Sequence, residues 1–303
     1  MTERAASSTA VLVCQGRAAA DGRYAVGRFS DPIAADLLDS SERLVVDRVR
    51  AAEPPTEPPT EPPTEPPTEG TDRVAHEMVR RVAVTMVPRT IAIDDAIRGS
   101  GAEQLVILGA GLDARAWRML ELAEVTVFEV DHPASQRDKQ RRVGALAPRA
   151  GRVAWVAVDL SKEPLAAGLE AAGFDRQVRT TWVWEGVVPY LTPAEVRATT
   201  AQVAALSAAG SRLVVNYQLK SLPTTVMRAA MRLILRVSRH PDPMAGEPWR
   251  SQWRPDGIRN LLSDNEFDTV WDSDLLTLSA GLELPSDNNG SLRNGRVALA
   301  VRR

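Results

Sequence analysis

The chain has 303 residues and a formal net charge of -2, so it lacks the strong basic field that draws proteins to nucleic acid. Its one cysteine, Cys14, excludes an intramolecular disulfide. Its three histidines are scattered and no Cys/His group has zinc spacing, so we expect no metal.

The first 52 residues predict a helical cap. Short helices are expected at residues 34–38 and 44–49. The apolar run at residues 10–14 is too short for a signal-peptide core, and no apolar run approaches the roughly 20 residues of a membrane span. We therefore expect a cytoplasmic protein without a membrane span.

Residues 53–68 repeat the tetrapeptide Glu-Pro-Pro-Thr four times. Proline at half of the positions blocks helical and strand hydrogen bonding, which favours a solvated polyproline II segment. We interpret residues 53–70 as a disordered linker between the cap and a main domain over residues 71–303. The alternative is a docking site for a proline-recognising partner.

Two helices are predicted between the linker and the first strand. Thr71 and Asp72 can cap the first helix, whose apolar positions extend to Met86, and Pro88 ends or kinks it. A second helix follows over residues 91–97.

Strands and helices alternate from residue 105 onward. The alternation predicts an α/β fold with a doubly wound, mainly parallel sheet and helices on both faces. The last two strands fit an antiparallel hairpin that closes the sheet. The predicted strands are 105–108, 125–130, 153–158, 181–184, 212–217, 268–271 and 296–301, and the helices between the first five lie near 113–122, 133–147, 163–172 and 193–208.

The segment 218–255 predicts a lid-like insertion, and we expect substrate specificity to lie there and in the cap. It contains a predicted helix, residues 227–237, with Arg228, Arg232 and Arg236 on one face. That face is either simply solvated or able to meet an acidic substrate or a membrane surface.

Two of the predicted strands end in groups that suit a nucleoside. The first strand ends in Gly109-Ala110-Gly111, where bare backbone lets a ligand approach closely. The second ends in Asp131, about 20 residues past the glycines, where a carboxylate can accept hydrogen bonds from both ribose hydroxyls.

The next two strands also end in acids. Asp159 and Leu160 follow the third strand and suit an adenine ring, with the carboxylate on its amine and the leucine on its face. Glu185 follows the fourth strand, where it could meet an ammonium group. Each acid alone could be ordinary turn chemistry, but together with the glycines they predict a ligand site along one edge of the sheet.

Four runs, GAGLDARAWR, FEVDHP, VDL and WEGVVPYL, occur in this order in the chain. They resemble the S-adenosylmethionine-dependent methyltransferases related to leucine carboxyl methyltransferase, and more narrowly the large set of such proteins in mycobacteria and other actinobacteria. The resemblance covers residues 71–303 and, more loosely, 15–50.

The resemblance implies a class I methyltransferase fold, a Rossmann-like sheet of about seven strands with one antiparallel strand near the end and an N-terminal helical cap. It implies S-adenosyl-L-methionine as the cofactor. The cofactor-binding residues that it implies are Asp131 for the ribose, Asp159 and Leu160 for the adenine, Gly109, Gly111 and Glu185 for the methionine part, and Arg89 for the carboxylate.

The expected reaction is methylation of a carboxyl or hydroxyl oxygen in a small molecule or peptide. No Asn/Asp-Pro-Pro-Tyr run is present, which argues against methylation of base amines. Tyr190 and Tyr217 are candidates for lining the acceptor site, and the alternative is that both are core or rim residues.

Two other functions stay open at this point. An NAD(P)-dependent oxidoreductase would share the glycine turn and the ribose acid. However, Ala114 replaces the third glycine of its fingerprint, and no Tyr-x-x-x-Lys pair exists. A non-catalytic cofactor-binding protein of the same fold is the second alternative.

Overall fold

The computed structural model describes residues 7–52, 70–220, 250–284 and 289–303. The repeat at 53–68, the side chains of Thr71 and Asp72, the helix predicted at 227–237 and most of the segment 218–255 lie outside the described residues. No helix within the described ranges is both long and apolar enough to cross a membrane.

Three helices precede the sheet: α1 (Ser8–Ala20), α2 (Ser40–Ala52) and α3 (Gly70–Arg98). The helix predicted at 44–49 lies inside α2, but the one predicted at 34–38 is wrong, because residues 32–37 form turns. Asp39 explains this difference. Its carboxylate accepts the N–H of Glu42 at 2.8 Å, and the Glu42 carboxylate accepts the N–H of Asp39 at 2.9 Å. This reciprocal cap starts a new helix and leaves only a short stretch before it.

The sequence predicts that Pro88 ends or kinks this helix, and the structure excludes the first outcome, because α3 continues through Pro88. A proline inside a helix costs about 3 kcal/mol, because it removes one hydrogen bond and crowds the preceding turn. Val84, Val87 and Ile91, on either side of the proline, are all buried in the core. We infer that their burial outweighs the local cost of the proline.

The seven strands form one sheet in the order β3-β2-β1-β4-β5-β7-β6. The first five pair in parallel, and β7 pairs antiparallel with both of its neighbours. All seven predicted strands are present, and the predicted antiparallel closure is confirmed, with β7 between β5 and β6. The strands are β1 (Gln104–Leu108), β2 (Thr126–Asp131), β3 (Arg152–Ala157), β4 (Thr180–Trp184), β5 (Arg212–Gln218), β6 (Phe267–Asp274) and β7 (Gly295–Arg302).

The connecting helices follow the predicted positions, with one exception. The helix predicted at 113–122 is wrong, since the chain there forms a four-residue helix, α4 (Arg115–Arg118), and a 3-10 turn (Leu120–Leu122). Met119 lies between them in an extended conformation. Within the described ranges the remaining helices are α5 (Pro133–Val143), α6 (Leu165–Ala171), α7 (Pro193–Ala205), α8 (Pro255–Asp264), α9 (Leu275–Leu278) and α10 (Asn289–Asn294).

Each face of the sheet carries its own hydrophobic core. On one face, residues of α1 and α2, such as Cys14 and Val46, share a cluster with Val87 of α3 and Ile107 of β1. The other face is covered by α6, α7 and α8. The chain winds from β1 to β3 on one side and from β4 to β5 on the other, so a crevice opens beyond the carboxyl ends of β1 and β4.

Candidate functional site

The turn after β1 needs glycine at two positions. Gly109 and Gly111 have φ values of 66° and 48°, which residues with a side chain rarely adopt. A Cβ at Gly109 would lie 2.2 Å from Cγ2 of Val187, and one at Gly111 would lie 3.1 Å from Cβ of Ala10. The backbone of this turn therefore lies against both the loop after β4 and the start of α1.

Asp131 ends β2 and binds the glycine turn. Its Oδ2 accepts the N–H of Gly111 at 2.6 Å, and its Oδ1 accepts the N–H of His132 at 2.6 Å. Burial raises the pKa of Asp131, although these two N–H groups oppose the rise. A carboxylate has about four acceptor positions, so a hydroxyl-bearing ligand would still find free lone pairs here.

Glu185 follows β4 directly and lies between two guanidinium groups. Its Oε1 is 2.6 Å from Nε of Arg89, and its Oε2 is 2.8 Å from Nη1 of Arg115. The Glu185 side chain is only 9% exposed. Burial alone would raise the pKa of Glu185, but the charges of Arg89 and Arg115 hold it well below its usual range. The carboxylate is therefore ionised, and α3, α4 and the end of β4 meet at it.

Glu185 belongs to a buried series of alternating charges that extends to the N-terminal cap; we call it the buried charge chain. Beyond Arg115, Asp94 receives Nε of Arg115 at 2.8 Å and Nη2 of Arg118 at 2.7 Å. Arg118 Nε then lies 3.6 Å from Asp31. In spatial order, the buried charge chain consists of Arg89, Glu185, Arg115, Asp94, Arg118, Asp31 and Arg17.

Two further contacts connect the buried charge chain to the glycine turn. Arg17 Nη2 donates to the carbonyl of Leu112 at 2.6 Å, and Arg115 pairs with the carboxylate of Asp113. Sequence reasoning missed Arg17, Asp31, Arg115 and the contacts of Asp94. These groups lie on four separate segments, and only the fold brings them together.

Asp159 and Leu160 lie just beyond β3, on the same edge of the sheet. The Asp159 carboxylate accepts the N–H and the hydroxyl of Ser161, at 3.0 and 2.6 Å, and pairs with Lys162 at 2.9 Å. Burial opposes ionisation, but these contacts with Ser161 and Lys162 lower the pKa of Asp159 to about 2. Leu160 is partly buried and packs against the core on the face of the sheet that α6, α7 and α8 cover. In this structure the Asp159 carboxylate is therefore engaged by residues of its own turn, Ser161 and Lys162.

The two candidate tyrosines lie in different surroundings. Tyr190 ends the 3-10 turn after β4 (Val188–Tyr190), and its partly buried hydroxyl bonds Oγ1 of Thr9 in α1 at 3.3 Å. Tyr217 in β5 is fully buried, donates to Asp272 at 2.6 Å and accepts from Arg296 at 3.1 Å. Burial raises the pKa of Tyr217. These contacts fit the core interpretation for Tyr217, whereas Tyr190 lies between the loop after β4 and the cap.

The loop after β4 leaves room for a ligand next to Glu185. Gly186 has a φ of 71°, and a Cβ built there would meet nothing within 4 Å. Its N–H donates to Oδ1 of Asn216 in β5 at 3.3 Å. Asn216 was also missed by sequence reasoning, because an asparagine inside an apolar strand carries no distinctive motif.

These groups together fit a ligand that carries a nucleoside and an amino-acid head. Asp131 beside the glycine turn suits ribose hydroxyls. Arg89 and Glu185 offer opposite charges 2.6 Å apart, which complements a zwitterion that bears a carboxylate and an ammonium group. The donor and acceptor types therefore agree with the cofactor implied by the sequence motifs.

Comparison with known proteins bears on the same question. A family model described as leucine carboxyl methyltransferase matches residues 10–204. The chain is 34% identical over 233 residues to a protein of Mycobacterium avium named as an S-adenosyl-L-methionine-dependent methyltransferase, covering 74% of this chain and 70% of that one. A protein of the same name from Mycobacterium marinum is 37% identical over 217 residues, which is 69% of this chain and 65% of that one.

A solved structure shows the same fold at low sequence identity. A DUF574 family protein from Streptomyces avermitilis superposes with a TM-score of 0.57 at 11% identity, covering 98% of both chains. The doubly wound α/β sheet predicted from the alternation of strands and helices, and the class I methyltransferase fold that the family resemblance implies, are both confirmed by the seven-stranded sheet and the family match.

Proposed function

Since the chain belongs to the leucine carboxyl methyltransferase family and is an S-adenosylmethionine-dependent methyltransferase, we propose that it methylates an oxygen of a carboxyl or hydroxyl group. The acceptor in this proposal is a small molecule or a peptide. The observation that carries the placement of the site is the buried ion pair between Arg89 and Glu185, next to the glycine turn and Asp131.

In this proposal the amino-acid head of the cofactor inserts between Arg89 and Glu185 and replaces their direct ion pair. Its carboxylate binds Arg89 and its ammonium group binds Glu185, so that two pairs replace one. Both side chains are already removed from water, with exposures of 8% and 9%. Little desolvation therefore remains to oppose binding at these two groups.

The nucleoside part is proposed to extend along the strand ends. The backbone of Gly109 and Gly111 permits close approach, Asp131 accepts the ribose hydroxyls, and Asp159 with Leu160 contacts the adenine. The Asp159 carboxylate holds its turn through two hydrogen bonds from Ser161, both to Oδ1. Among the residues that the structure describes, Oδ2 then contacts only the exposed Lys162.

The proposed chemistry places few demands on the protein. The bound cofactor supplies a methyl group on a sulfonium, which is already an activated leaving group. The protein has to hold the acceptor oxygen about 3 Å from that methyl group and to exclude water. A carboxylate acceptor is nucleophilic without deprotonation, whereas a hydroxyl benefits from a base. We assign no base, and Tyr190 is the side chain that we propose to line the acceptor side.

Methyl transfer from S-adenosylmethionine with a labelled methyl group tests this proposal. Carboxylic acids, peptides with a free carboxyl terminus, phenols, alcohols and amines serve as parallel acceptors. We expect label in carboxyl or hydroxyl acceptors, and mild alkali separates these two classes because it releases methanol from methyl esters but not from ethers. Label found only in amines would contradict oxygen as the acceptor atom.

A further inference from the structure

We propose that Arg115 and Asp94 are positioning residues of the cofactor site: Arg115 fixes the orientation of the Glu185 carboxylate, and Asp94 fixes Arg115. The inference rests on the proposed placement of the cofactor head between Arg89 and Glu185. It assigns a role to two residues of the buried charge chain that do not themselves contact the cofactor.

The first step of the argument is what remains at Glu185 when the cofactor binds. Arg89 and Arg115 each hold one oxygen of its carboxylate, at 2.6 and 2.8 Å. If Arg89 turns to the cofactor carboxylate, Arg115 is the remaining guanidinium on Glu185. A carboxylate held by one oxygen presents the other in a fixed direction. Arg115 would therefore aim Oε1 at the incoming ammonium group.

The second step is why this position requires arginine. Arg115 is 2% exposed, and its guanidinium serves three carboxylates, with Nε on Asp94 and Nη1 on both Asp113 and Glu185. A planar fork with several donors at fixed angles meets such a set, whereas a lysine presents one nitrogen at the end of a flexible stem. Replacement by lysine would keep the charge and lose the fixed geometry.

The third step concerns charge. An unbalanced cation next to Glu185 would compete with the cofactor ammonium and repel it. Asp94, which is 5% exposed, pairs with Nε of Arg115, whereas Glu185 pairs with Nη1, and Asp94 is shared with Arg118. Replacing Asp94 by asparagine keeps its shape and removes one of the negative charges that balance Arg115, leaving Asp113 and Glu185. The effect should fall on the amino-acid head of the ligand and not on its nucleoside.

The test compares two ligands that differ in this head. S-adenosylhomocysteine carries it, and 5′-methylthioadenosine is the corresponding neutral nucleoside thioether without it. Dissociation constants are measured by calorimetry for S-adenosylhomocysteine and by displacement for methylthioadenosine, on wild type, Arg115→Lys and Asp94→Asn. Arg142→Lys is the matched control, because Arg142 also joins two acids, the half-buried Glu42 and the buried Asp138, away from the strand-end crevice.

We expect both site variants to bind S-adenosylhomocysteine about tenfold more weakly, the scale of one lost charge-assisted hydrogen bond, with methylthioadenosine affinity changed by less than about twofold. Arg142→Lys should leave the ratio of the two affinities unchanged. A general structural role would instead weaken both ligands together.

The outcomes separate this inference from the proposed function. If wild type binds neither ligand, the proposed cofactor site itself is wrong. If wild type binds both and the two variants weaken them equally, or not at all, only the positioning role is overturned. Failure of both conservative variants to fold would assign Arg115 and Asp94 to stability and would likewise overturn it.

Discussion

At the residue scale, the sequence predicted side chains that follow a strand and missed those that meet through the fold. Asp131 and Glu185 could be located because acids directly after parallel strands must lie along one edge of the sheet. Asp94 and Arg115 could not, because they are 21 residues apart and interact only where α3 and α4 meet. A buried ion pair leaves no periodic signal in the sequence.

The proposed ribose contact gives the first prediction. Asp131→Ala should weaken S-adenosylmethionine binding by roughly 1.5–3 kcal/mol, because a charge-assisted hydrogen bond to the ligand is lost. Asp131→Asn should lose less, since it keeps one acceptor oxygen. Calorimetric titration measures both effects, with thermal unfolding as the control for folding. Unchanged affinity in a folded Asp131→Ala would reject the ribose assignment.

The buried ion pairs of Glu185 give the second prediction. Glu185→Gln removes the carboxylate that pairs with the buried guanidinium of Arg89, and it removes one of the three carboxylates that pair with Arg115. Breaking a buried pair from one side costs about 3–5 kcal/mol, so the free energy of unfolding should fall by an amount on this scale. Denaturant unfolding measures it. A variant as stable as wild type would show that these ion pairs add nothing to stability.

The third prediction is the pH dependence of that same contribution. The folded-state pKa of Glu185 lies below its ordinary value of 4.5. Its ionised form therefore stabilises the protein above pH 4.5, and this stabilisation is lost as the pH falls toward the folded-state pKa. The difference in unfolding free energy between wild type and Glu185→Gln should shrink as the pH drops from 7 to below 4. A difference that stayed constant would contradict the assigned pKa direction.

At the element scale, strand ends were predictable to within one residue except at β6, which extends three residues past its predicted end at residue 271, whereas helix ends were not predictable. Short apolar runs such as β1 and β4 are buried along their whole length, so their composition marks them. Helix α3 continues through Pro88 because its buried neighbours outweigh a local penalty, and α4 is short because the chain turns after Arg118. Both outcomes depend on tertiary packing, which local propensity does not contain.

The contact between the glycine turn and the loop after β4 gives the fourth prediction. Gly109→Ala places a Cβ 2.2 Å from Val187, in addition to the strain of its positive φ, whereas Gly186→Ala meets nothing within 4 Å. The left-handed conformation costs each variant about 1–2 kcal/mol of unfolding free energy. Because of the added contact with Val187, Gly109→Ala should lose substantially more unfolding free energy than Gly186→Ala. Adding Val187→Ala should restore part of that loss. Equal unfolding free energies for the two glycine variants would contradict this contact.

At the scale of the whole molecule, we propose that the cap and the sheet form one folding unit. Cys14, Leu37 and Val46 of the cap belong to the same hydrophobic core as Ile107 of β1 and Val87 of α3. Arg142 of α5 also reaches Glu42 of α2 at 2.5 Å. The linear order of a cap, a repeat and a main domain gave no indication of this shared core, because the residues that build it are separated by the repeat.

Truncation tests whether the cap and the sheet form one folding unit. A chain that begins at residue 70 should fail to unfold cooperatively, because it exposes the core face that α1 and α2 cover. Replacing residues 53–68 by a Gly/Ser segment of equal length should preserve both cooperative unfolding and cofactor affinity, since the described contacts between cap and sheet lie elsewhere. A cooperatively folding truncated chain would show instead that the cap is dispensable.

The central claim is that the amino-acid head of S-adenosylmethionine binds between Arg89 and Glu185, with the ribose at Asp131. The measurement that tests it most directly is a crystal structure of the protein with S-adenosylhomocysteine. We predict the ligand carboxylate within hydrogen-bond distance of Arg89, the ammonium group on Glu185, and both ribose hydroxyls on Asp131. A ligand bound elsewhere, or at this edge with the direct Arg89–Glu185 pair intact and its amino-acid head facing solvent, would contradict the account.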